Sequence, residues 1–434
     1  MGNPHAARRK ALMDRVGPRA VAVIGWKKTT QRNSDVEFRF RQTSDVLYLT
    51  GFPEPETVAV IAPGRAQKFV LFVRPRDAER ETWTGRRAGL EGAIAKYGAD
   101  AAFPVDQLAV ELPKLLDGAD EVMYVPGDDR EMDELILKAL ADLRAGERRG
   151  MRAPTRITDL RTTLHELRLI KDDDALTKMR RAAEITRDAH VAAMKAARDG
   201  VHEYEIEALI DYTFRKNGGH TGYGTIVGGG VNATILHYVD NAEPLRQGEL
   251  LLVDAGCELD GFTADVTRTY PIGGRFGVAQ RRAYQLVLDV EKKCIESVKP
   301  GATIDGIHQQ AVELLTQGMV DLGLLKGTVR ELIDSGAYKR FYMHRTSHWL
   351  GLDVHDVGSY TVDGKPRPLE PGMVLTVEPG LYVPPDATDV PGELRGIGIR
   401  IEDDVLVTAG GHEVLTRAVP KEPADLEALT TSAA

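Results

Sequence analysis

Two stretches of the sequence match each other, Gly248-Glu-Leu-Leu-Leu-Val-Asp254-Ala-Gly256 and Gly372-Met-Val-Leu-Thr-Val-Glu378-Pro-Gly380. Both read Gly-x-x-Leu-x-Val-acid-x-Gly, and a short apolar run bounded by glycine predicts a buried strand. A carboxylate at the end of a buried strand is unfavourable unless another group compensates its charge. Because two such strands occur, we expect one shared compensating group, and a metal is the simplest candidate.

Each of these two acids is followed by a second acid. Asp265 comes eleven residues after Asp254, and the turn-like residues 258–261 predict a hairpin that brings both carboxylates together. Glu402 follows Glu378 in the same way, so each half is expected to contribute two acids from adjacent strands. Four carboxylates in one pocket repel each other, and two divalent ions balance their charge better than one.

Histidines cluster shortly before the second acid strand. Three of them, His344, His348 and His355, lie within twelve residues. A lone histidine is usually a hydrogen-bonded structural residue, but this cluster beside repeated acid strands favours a metal site. Oxygen ligands suit Mn²⁺ or Mg²⁺, and one imidazole shifts the preference towards Mn²⁺, Co²⁺ or Zn²⁺. Asp403 and Asp404 are interpreted as a solvated strand end.

Length and composition limit the class of protein. The 434 residues exceed what one core usually supports, so two domains are expected. The net charge of -9 argues against a general nucleic-acid binder. No apolar run approaches the ~18–20 residues that span a bilayer, and no apolar stretch of a secretory signal follows the basic N-terminal residues. Two cysteines are too few for a disulfide framework, and a cytoplasmic location is the default expectation.

The predicted elements divide the chain near residue 165. Residues 1–165 are predicted to form an α/β domain, with strands at 20–24, 46–49, 57–61 and 69–73 and helices at 90–97, 105–116 and 131–143. In residues 166–434, two helices followed by strands occur twice. Together with the matching acid strands, this order predicts an internally duplicated domain.

Motifs in both parts point to one known family. Those of the first part are Asn33-Ser-Asp35, Tyr48-Leu-Thr-Gly51-Phe-Pro and Trp83-Thr-Gly-Arg-Arg87. Those of the second part are Ile235-Leu-His237-Tyr, Val253-Asp254-Ala-Gly256, Ala264-Asp265-Val-Thr-Arg268, Ser347-His348-Trp-Leu-Gly, Val377-Glu378-Pro-Gly380 and Gly398-Ile-Arg400-Ile-Glu402. With these motifs the chain resembles the aminopeptidase P family, the Xaa-Pro aminopeptidases of "pita-bread" fold, along nearly its whole length.

The resemblance implies both a fold and an activity. The implied fold is α/β (α+β), with an N-terminal creatinase-like α/β domain and a C-terminal pita-bread catalytic domain that has an internal pseudo-two-fold duplication. The implied activity is hydrolysis of the N-terminal Xaa-Pro bond of peptides, with a metal-bridging hydroxide as the nucleophile. The expected substrates are peptides with proline at the second position, and neither nucleic acid nor a membrane is an expected partner.

The family pattern also implies a metal-ligand set of five residues. Two divalent ions per subunit are implied, with Mn²⁺ expected and Co²⁺ or Zn²⁺ as alternatives. Asp254 would bind one ion, Asp265 and Glu402 would bridge both, and His348 and Glu378 would complete the second. Glu378 would in addition accept and pass on the proton of the nucleophile.

Five further residues receive roles from the same resemblance. His237 and His355 would stabilise the oxyanion and position the substrate carbonyl, and His344 would line the pocket for the proline ring. Arg400 would hold the first metal-binding aspartate, together with Tyr382.

Aromatic residues are candidates for the walls of a proline pocket. A Xaa-Pro amide has no N–H, so selection must act on the ring, and Tyr223, Tyr360 and Trp349 are available, although core aromatics are the simpler interpretation. Arg345 and Thr346 depart from the small or apolar residues expected after His344. The added positive charge favours longer substrates that carry a carboxylate, or alters the mobility of the loop.

Several alternatives stay open at this point. A prolidase that cuts only Xaa-Pro dipeptides is the nearest rival, and a non-catalytic binding relative is the rival from another class. The N-terminal domain is expected to serve oligomerisation and substrate access in a homodimer or homotetramer. Trp83 either reaches a neighbouring subunit's site or belongs to the core.

Overall fold

The computed structural model describes residues 3–431, which form two compact units. The first unit ends at Arg168 and the second begins at Leu169. The division predicted from the sequence lies three residues earlier, after residue 165. Within the described range, no helix is both long and apolar enough to cross a membrane.

In the first unit, short helices alternate with short strands. The helices are α1 (Pro4–Val16), α2 (Ser44–Thr50), α3 (Ala78–Thr84), α4 (Gly89–Ala95), α5 (Leu108–Leu116), α6 (Arg130–Ala145) and α7 (Arg161–Leu169). The strands are β1 (Ala20–Gly25), β2 (Gln31–Asn33), β3 (Val36–Glu37), β4 (Val58–Ile61), β5 (Phe69–Val73), β6 (Ala101–Pro104), β7 (Glu121–Tyr124) and β8 (Arg156–Asp159).

A mixed sheet forms the centre of the first unit. Its strand order is β6-β5-β4-β1-β7-β8, with β1 antiparallel to β4 and parallel to β7. Strands β4 and β5 are buried along their whole length, as expected for apolar strands covered on both faces. Leucines of α5 and the apolar face of α6 pack into the same core. The α/β prediction for this part of the chain is confirmed.

The strand predicted at residues 46–49 is wrong, because this stretch lies in helix α2. The helix begins after Thr43 and ends at Gly51, whose φ of 64° is left-handed and whose N–H donates to the carbonyl of Leu47. Val46 and Leu49 are buried on the inner side of the helix. A four-residue apolar run does not distinguish strand from helix, and the glycine behind it was the available helix-end signal.

The second unit contains longer helices and several small sheets. Its helices are α8 (Asp173–Ala196), α9 (Glu203–Lys216), α10 (Val278–Glu296), α11 (Ile304–Asp321), α12 (Val329–Asp334) and α13 (Pro423–Thr431). Its strands are β9 (His220–Thr221), β10 (Ile226–Gly229), β11 (Leu250–Asp254), β12 (Cys257–Leu259), β13 (Phe262–Thr263), β14 (Thr267–Pro271), β15 (Thr361–Val362), β16 (Lys365–Pro366), β17 (Val374–Val377), β18 (Gly380–Tyr382), β19 (Gly398–Arg400), β20 (Asp403–Thr408) and β21 (Gly411–Val414).

One arrangement occurs twice in this unit. Helices α8 and α9 precede strand β11, which is antiparallel to β14, and helices α10 and α11 precede strand β17, which is antiparallel to β20. The two acid strands start from equivalent glycines, Gly248 and Gly372, with φ of 87° and 93°. Glycine is favoured at both positions because other residues rarely adopt this left-handed conformation. The predicted internal duplication is confirmed.

The connection between β11 and β14 differs from the single hairpin that the sequence suggested. A separate small hairpin, β12 with β13, lies between them, and β14 begins at Thr267 rather than at residue 263. The chain then returns over Gly256 so closely that a Cβ there would lie 1.7 Å from the carbonyl oxygen of Ala264. This close passage brings Asp265 back to the end of β11.

Candidate metal centre

The four acids lie at the ends of the two antiparallel strand pairs. Asp254 is the last residue of β11, and Asp265 lies two residues before β14. Glu378 directly follows β17, and Glu402 directly precedes β20. Because antiparallel pairing puts the end of one strand beside the start of its partner, each half places its two acids together. The second acid of each half thus lies just outside its predicted strand.

An imidazole nitrogen joins these carboxylates. The Nε2 atom of His348 lies 3.3 Å from Oδ2 of Asp265 and 3.5 Å from Oε1 of Glu378. Among the described residues, Asp265, His348 and Glu402 form a group whose potential ligand atoms all lie within 4.8 Å of one another. On the other side of the ring, Nδ1 of His348 lies 3.0 Å from the carbonyl oxygen of Trp349. A carbonyl only accepts, so Nδ1 carries the hydrogen and Nε2 faces the acids.

Burial and mutual repulsion raise the pKa of Asp265, Glu378 and Glu402 and so make these three carboxylates harder to ionise. Burial, and then the charge of Asp254, raises the pKa of Asp265, and burial with the charges of the other acids raises that of Glu402 well above its usual value. The pKa of Glu378 rises to about 7 for the same reasons. Buried carboxylates at such close range are the donor set that divalent cations stabilise, so these residues fit a metal site.

Arg400 and Tyr223 hold Asp254 from both sides. Nη2 of Arg400 donates to Oδ2 of Asp254 at 2.6 Å, and the hydroxyl of Tyr223 donates to Oδ1 at 2.6 Å. Nε of Arg400 also donates to the hydroxyl of Thr267 at 2.9 Å, which in turn donates to Oε2 of Glu402 at 2.6 Å. One guanidinium therefore orients Asp254 of the first half directly and Glu402 of the second half through Thr267.

The predicted pocket histidine, His344, is held as a neutral ring. Its Nδ1 donates to the carbonyl of Arg345 at 2.8 Å, and its Nε2 lies 2.9 Å from the hydroxyl of Tyr382. That hydroxyl also accepts from Nη1 of Arg400 at 3.0 Å, so it donates to His344. Burial, and then the charge of Arg400, lowers the pKa of His344 to about 3.

The five predicted metal ligands and the predicted residues His237, His344, His355 and Arg400 line one cavity of about 830 Å³. His237 and His355 are exposed at its surface, and the ring of His355 stands edge-on to His348 at 4.4 Å. Tyr223 and Tyr360 also line this cavity, whereas Trp349 is buried and stacks on Tyr360 at 5.3 Å. The core interpretation therefore applies to Trp349 and not to the two tyrosines.

The interpretation of Asp403 and Asp404 as a solvated strand end is wrong, because both are buried. The carboxylate of Asp404 accepts from the backbone N–H of Asp265 at 3.2 Å, which fixes the backbone of that acid. Asp403 lies on the other face of β20 and pairs with Arg268 at 2.8 Å and with Lys421 at 2.6 Å. Three consecutive acids entering an apolar strand were the signal, since successive residues of a strand face opposite sides.

Arg268 is a supporting residue whose role the sequence did not reveal. Its Nη1 donates to the carbonyl of Glu402 at 2.6 Å, its Nη2 to the carbonyl of Val419 at 3.0 Å and its Nε to the carbonyl of Pro420 at 3.0 Å. The side chain is fully buried, and these bonds position the backbone from which Glu402 projects.

Glu203, at the start of α9, anchors the loop that carries His237. It is fully buried and accepts hydrogen bonds from four donors, two of them backbone N–H groups. The donors are the N–H of Gly229 (2.8 Å), Nδ2 of Asn232 (3.0 Å), the hydroxyl of Tyr238 (2.8 Å) and the N–H of Glu243 (3.0 Å). Acidic residues are common in the first turn of a helix, so the sequence pattern did not indicate this buried role of Glu203.

A different anchor holds the loop of His344 and His348. Nδ1 of His308, on α11, lies 2.8 Å from the hydroxyl of Thr346, and the hydroxyl of Tyr342 lies 2.6 Å from the same atom. The carbonyl of Thr346 accepts from the N–H of Glu378 at 2.8 Å. Thr346, unexpected in the sequence, therefore links α11 to an acid of the metal centre.

Comparisons with known proteins show similarity over both parts of the chain. The sequence pattern of metallopeptidase family M24 matches residues 177–409, and that of the aminopeptidase P N-terminal domain matches residues 5–124. The chain is 44% identical over 429 residues to a Xaa-Pro aminopeptidase of Escherichia coli (strain K12), covering 98% of this chain and 97% of that protein. It is 32% identical over 445 residues to Xaa-Pro aminopeptidase 3 of Homo sapiens, covering 99% and 86%.

Solved structures are similar over the full length. The aminopeptidase PepP of Pseudomonas aeruginosa superposes with a TM-score of 0.97 at 48% identity, covering 99% of this chain and 98% of that one. Zinc-substituted E. coli aminopeptidase P in complex with product superposes with a TM-score of 0.96 at 44% identity, with the same coverage.

Proposed function

The chain belongs to the aminopeptidase P group of metallopeptidase family M24, and from this we propose that it is a metal-dependent Xaa-Pro aminopeptidase. Its substrates are peptides with proline at the second position, from which it releases the N-terminal residue. The observation that carries this proposal is the convergence of four carboxylates and the Nε2 atom of His348 in one cavity.

Five residues are proposed as metal ligands. Asp254, Asp265 and Glu402 would hold one divalent ion, and Asp265, Glu402, His348 and Glu378 would hold a second. Carboxylate oxygens with a single imidazole favour Mn²⁺, with Co²⁺ or Zn²⁺ as alternatives. Such ions, when bound, would lower the pKa of the attacking water and polarise the scissile carbonyl.

The remaining chemistry falls to side chains of this chain. Glu378 is half-buried at the cavity wall and is placed to take up the proton of the nucleophile and pass it to the leaving prolyl nitrogen. His237 and His355, exposed in the cavity, donate to the carbonyl oxygen as it gains charge. The neutral ring of His344 offers a wall without a net charge, which suits a proline ring.

Peptide hydrolysis tests the proposal directly. Purified protein with Mn²⁺ is given the dipeptide Ala-Pro and the tripeptide Ala-Pro-Ala, and released alanine is measured together with the metal content per chain. Cleavage of the tripeptide supports an aminopeptidase, while cleavage of the dipeptide alone identifies a prolidase. A chain that carries no divalent ion and stays inactive with Mn²⁺ contradicts the proposed function.

A homodimer or homotetramer, with a cytoplasmic location, completes the proposal. Trp83 of the first unit is 83% exposed, so it is not a core residue and is free to contact another subunit. Light scattering at micromolar protein concentration tests this part, and a monomer there contradicts it.

A further inference from the structure

Arg345 is the exposed guanidinium of the cavity wall. Arg345 and Arg400 are the arginines among the described residues that line this cavity. Arg400 is buried, and Asp254, Thr267 and Tyr382 engage all three of its nitrogens. The side chain of Arg345 is 57% exposed and makes one ion pair, from Nη2 to Oδ1 of Asp305 at 3.1 Å. Arg345 is therefore the cavity arginine with donors left for a substrate.

The backbone on both sides of Arg345 is fixed. Its carbonyl accepts from the ring of His344, and the next residue, Thr346, is buried between His308 and Tyr342. A rigid backbone under a long exposed side chain limits the region in which the guanidinium moves. Such pre-organisation is typical of a recognition residue rather than of a solvated charge.

Resting on the proposed function, we propose that Arg345 recognises a carboxylate on the residue that follows proline. If the proline ring lies against His344, the next substrate residue extends about 3.3–3.6 Å further and reaches the neighbouring Arg345. That carboxylate is either the C-terminus of a tripeptide or an acidic side chain, and a guanidinium binds both through charge-assisted hydrogen bonds. Asp305, now paired with Arg345, competes with the substrate for the same donors.

Two pairs of peptides test this recognition and separate the two sources of the carboxylate. Ala-Pro-Ala is compared with its C-terminal amide, and Ala-Pro-Glu-amide with Ala-Pro-Gln-amide. We expect wild-type protein to prefer the charged member of at least one pair by about tenfold in kcat/KM, because a charge-assisted bond at a half-exposed site is worth about that much. The preference is expected in KM, and it decreases with added salt because exposed charges are screened.

Two substitutions are expected to change the preference for the charged peptide in opposite directions. Arg345→Gln reduces the preference to below about twofold, whereas Asp305→Asn increases it about two- to threefold by removing the competing carboxylate. Arg340→Gln is the matched control, since Arg340 forms an exposed ion pair with Asp389 and does not line the cavity. Melting temperatures verify that all variants are folded.

The outcomes separate this inference from the proposed function. Equal kcat/KM within both pairs for wild-type protein, or a preference that survives Arg345→Gln, overturns the role of Arg345 and leaves the aminopeptidase standing. An equal loss in Arg340→Gln overturns it too. No cleavage of any of the four peptides by the Mn²⁺-loaded wild type contradicts the aminopeptidase itself.

Discussion

The two halves of the second unit position their acids alike and anchor their histidine-bearing loops by different means. In the first half, the buried carboxylate of Glu203 accepts four hydrogen bonds from the loop that carries His237. In the second half, the loop of His344 and His348 is held by neutral hydrogen bonds through Thr346. Hydrogen bonds to an ionised, desolvated acceptor are roughly twice as strong as neutral ones.

The two halves therefore share the positions of their acids but differ in the side chains that anchor their loops. The acids depend on strand geometry, which both halves share, so they occupy equivalent places. The anchors depend on individual side chains of α9 and α11, and these have diverged. The lighter anchor lies in the half that supplies three histidines and Arg345, and of these His344, His355 and Arg345 are proposed to contact the substrate.

The largest expected effect tests the equivalence of the acids. We expect Asp265→Ala and Glu402→Ala each to lower kcat at least about a thousandfold. Both residues are proposed as metal ligands, and losing one removes several kcal/mol of transition-state charge stabilisation. Turnover and bound metal are measured for both variants. Asp260→Asn, an exposed turn residue of the β12–β13 hairpin, is the control and stays active. Near-normal turnover in either alanine variant contradicts a shared site.

The next effect measures the stronger anchor. Glu203→Gln turns one acceptor oxygen into a donor that faces other donors, so we expect the free energy of unfolding to fall by about 2–3 kcal/mol. Denaturant unfolding gives this value, and proteolysis of residues 231–243 reports the release of the His237 loop. Glu207→Gln is the control, since Glu207 accepts only from Asn241 Nδ2 among the hydrogen bonds found, and an amide oxygen can replace it. If both variants lose the same free energy of unfolding, the four hydrogen bonds to Glu203 stabilise the loop no more than the single one to Glu207 does.

The weaker anchor gives a smaller effect. Thr346→Val removes the hydroxyl that contacts His308 and Tyr342, and we expect the free energy of unfolding to fall by about 1–2 kcal/mol. In a double-mutant cycle, adding Tyr342→Phe costs less than it does in wild-type protein, because the partner is already gone. A loss larger than that of Glu203→Gln reverses the ranking of the two anchors.

The smallest effect is a pH dependence of the second anchor. Burial, and then the charge of Arg345, lowers the pKa of His308 from 6.5 to about 4. Because its pKa is lower in the folded protein, His308 binds a proton more readily in the unfolded chain. Its contribution to the free energy of unfolding is therefore complete above pH 6.5 and is lost as the pH falls towards 4. Between pH 7 and pH 5 we expect wild-type protein to lose about 1 kcal/mol more than His308→Asn, after allowing for partial exposure. Parallel unfolding curves for the two proteins contradict this.

The acids could be predicted from the sequence because their pattern repeats. A glycine, an apolar run and a terminal carboxylate define a buried strand end in a few residues, and the duplication shows the same signal twice. The family and the two-part α/β architecture, inferred from the motifs, are likewise confirmed. The apolar run in helix α2 is too short to distinguish the periodicity of a helix from that of a strand, so the sequence predicts a strand there.

The supporting residues could not be predicted, because their roles depend on distant partners. Glu203 and Glu243 are forty residues apart in sequence, and Arg268 meets Val419 more than a hundred and fifty residues later. The sequence predicts solvated side chains for Asp403 and Asp404 because charged residues are rarely buried unless paired, and the local pattern does not reveal their pairing residues. Local sequence indicates where a charge lies along the chain, while burial is decided by the tertiary fold.

The contacts of Arg268 also bear on how the protein is made. Its guanidinium requires carbonyls of Val419 and Pro420, and Asp403 beside it requires Lys421. A nascent chain that has emerged only to α11 already contains Arg268 but none of these partners. The support beneath Glu402 is therefore completed late in synthesis, and a chain that terminates before Val419 lacks two of the carbonyl acceptors of this buried guanidinium.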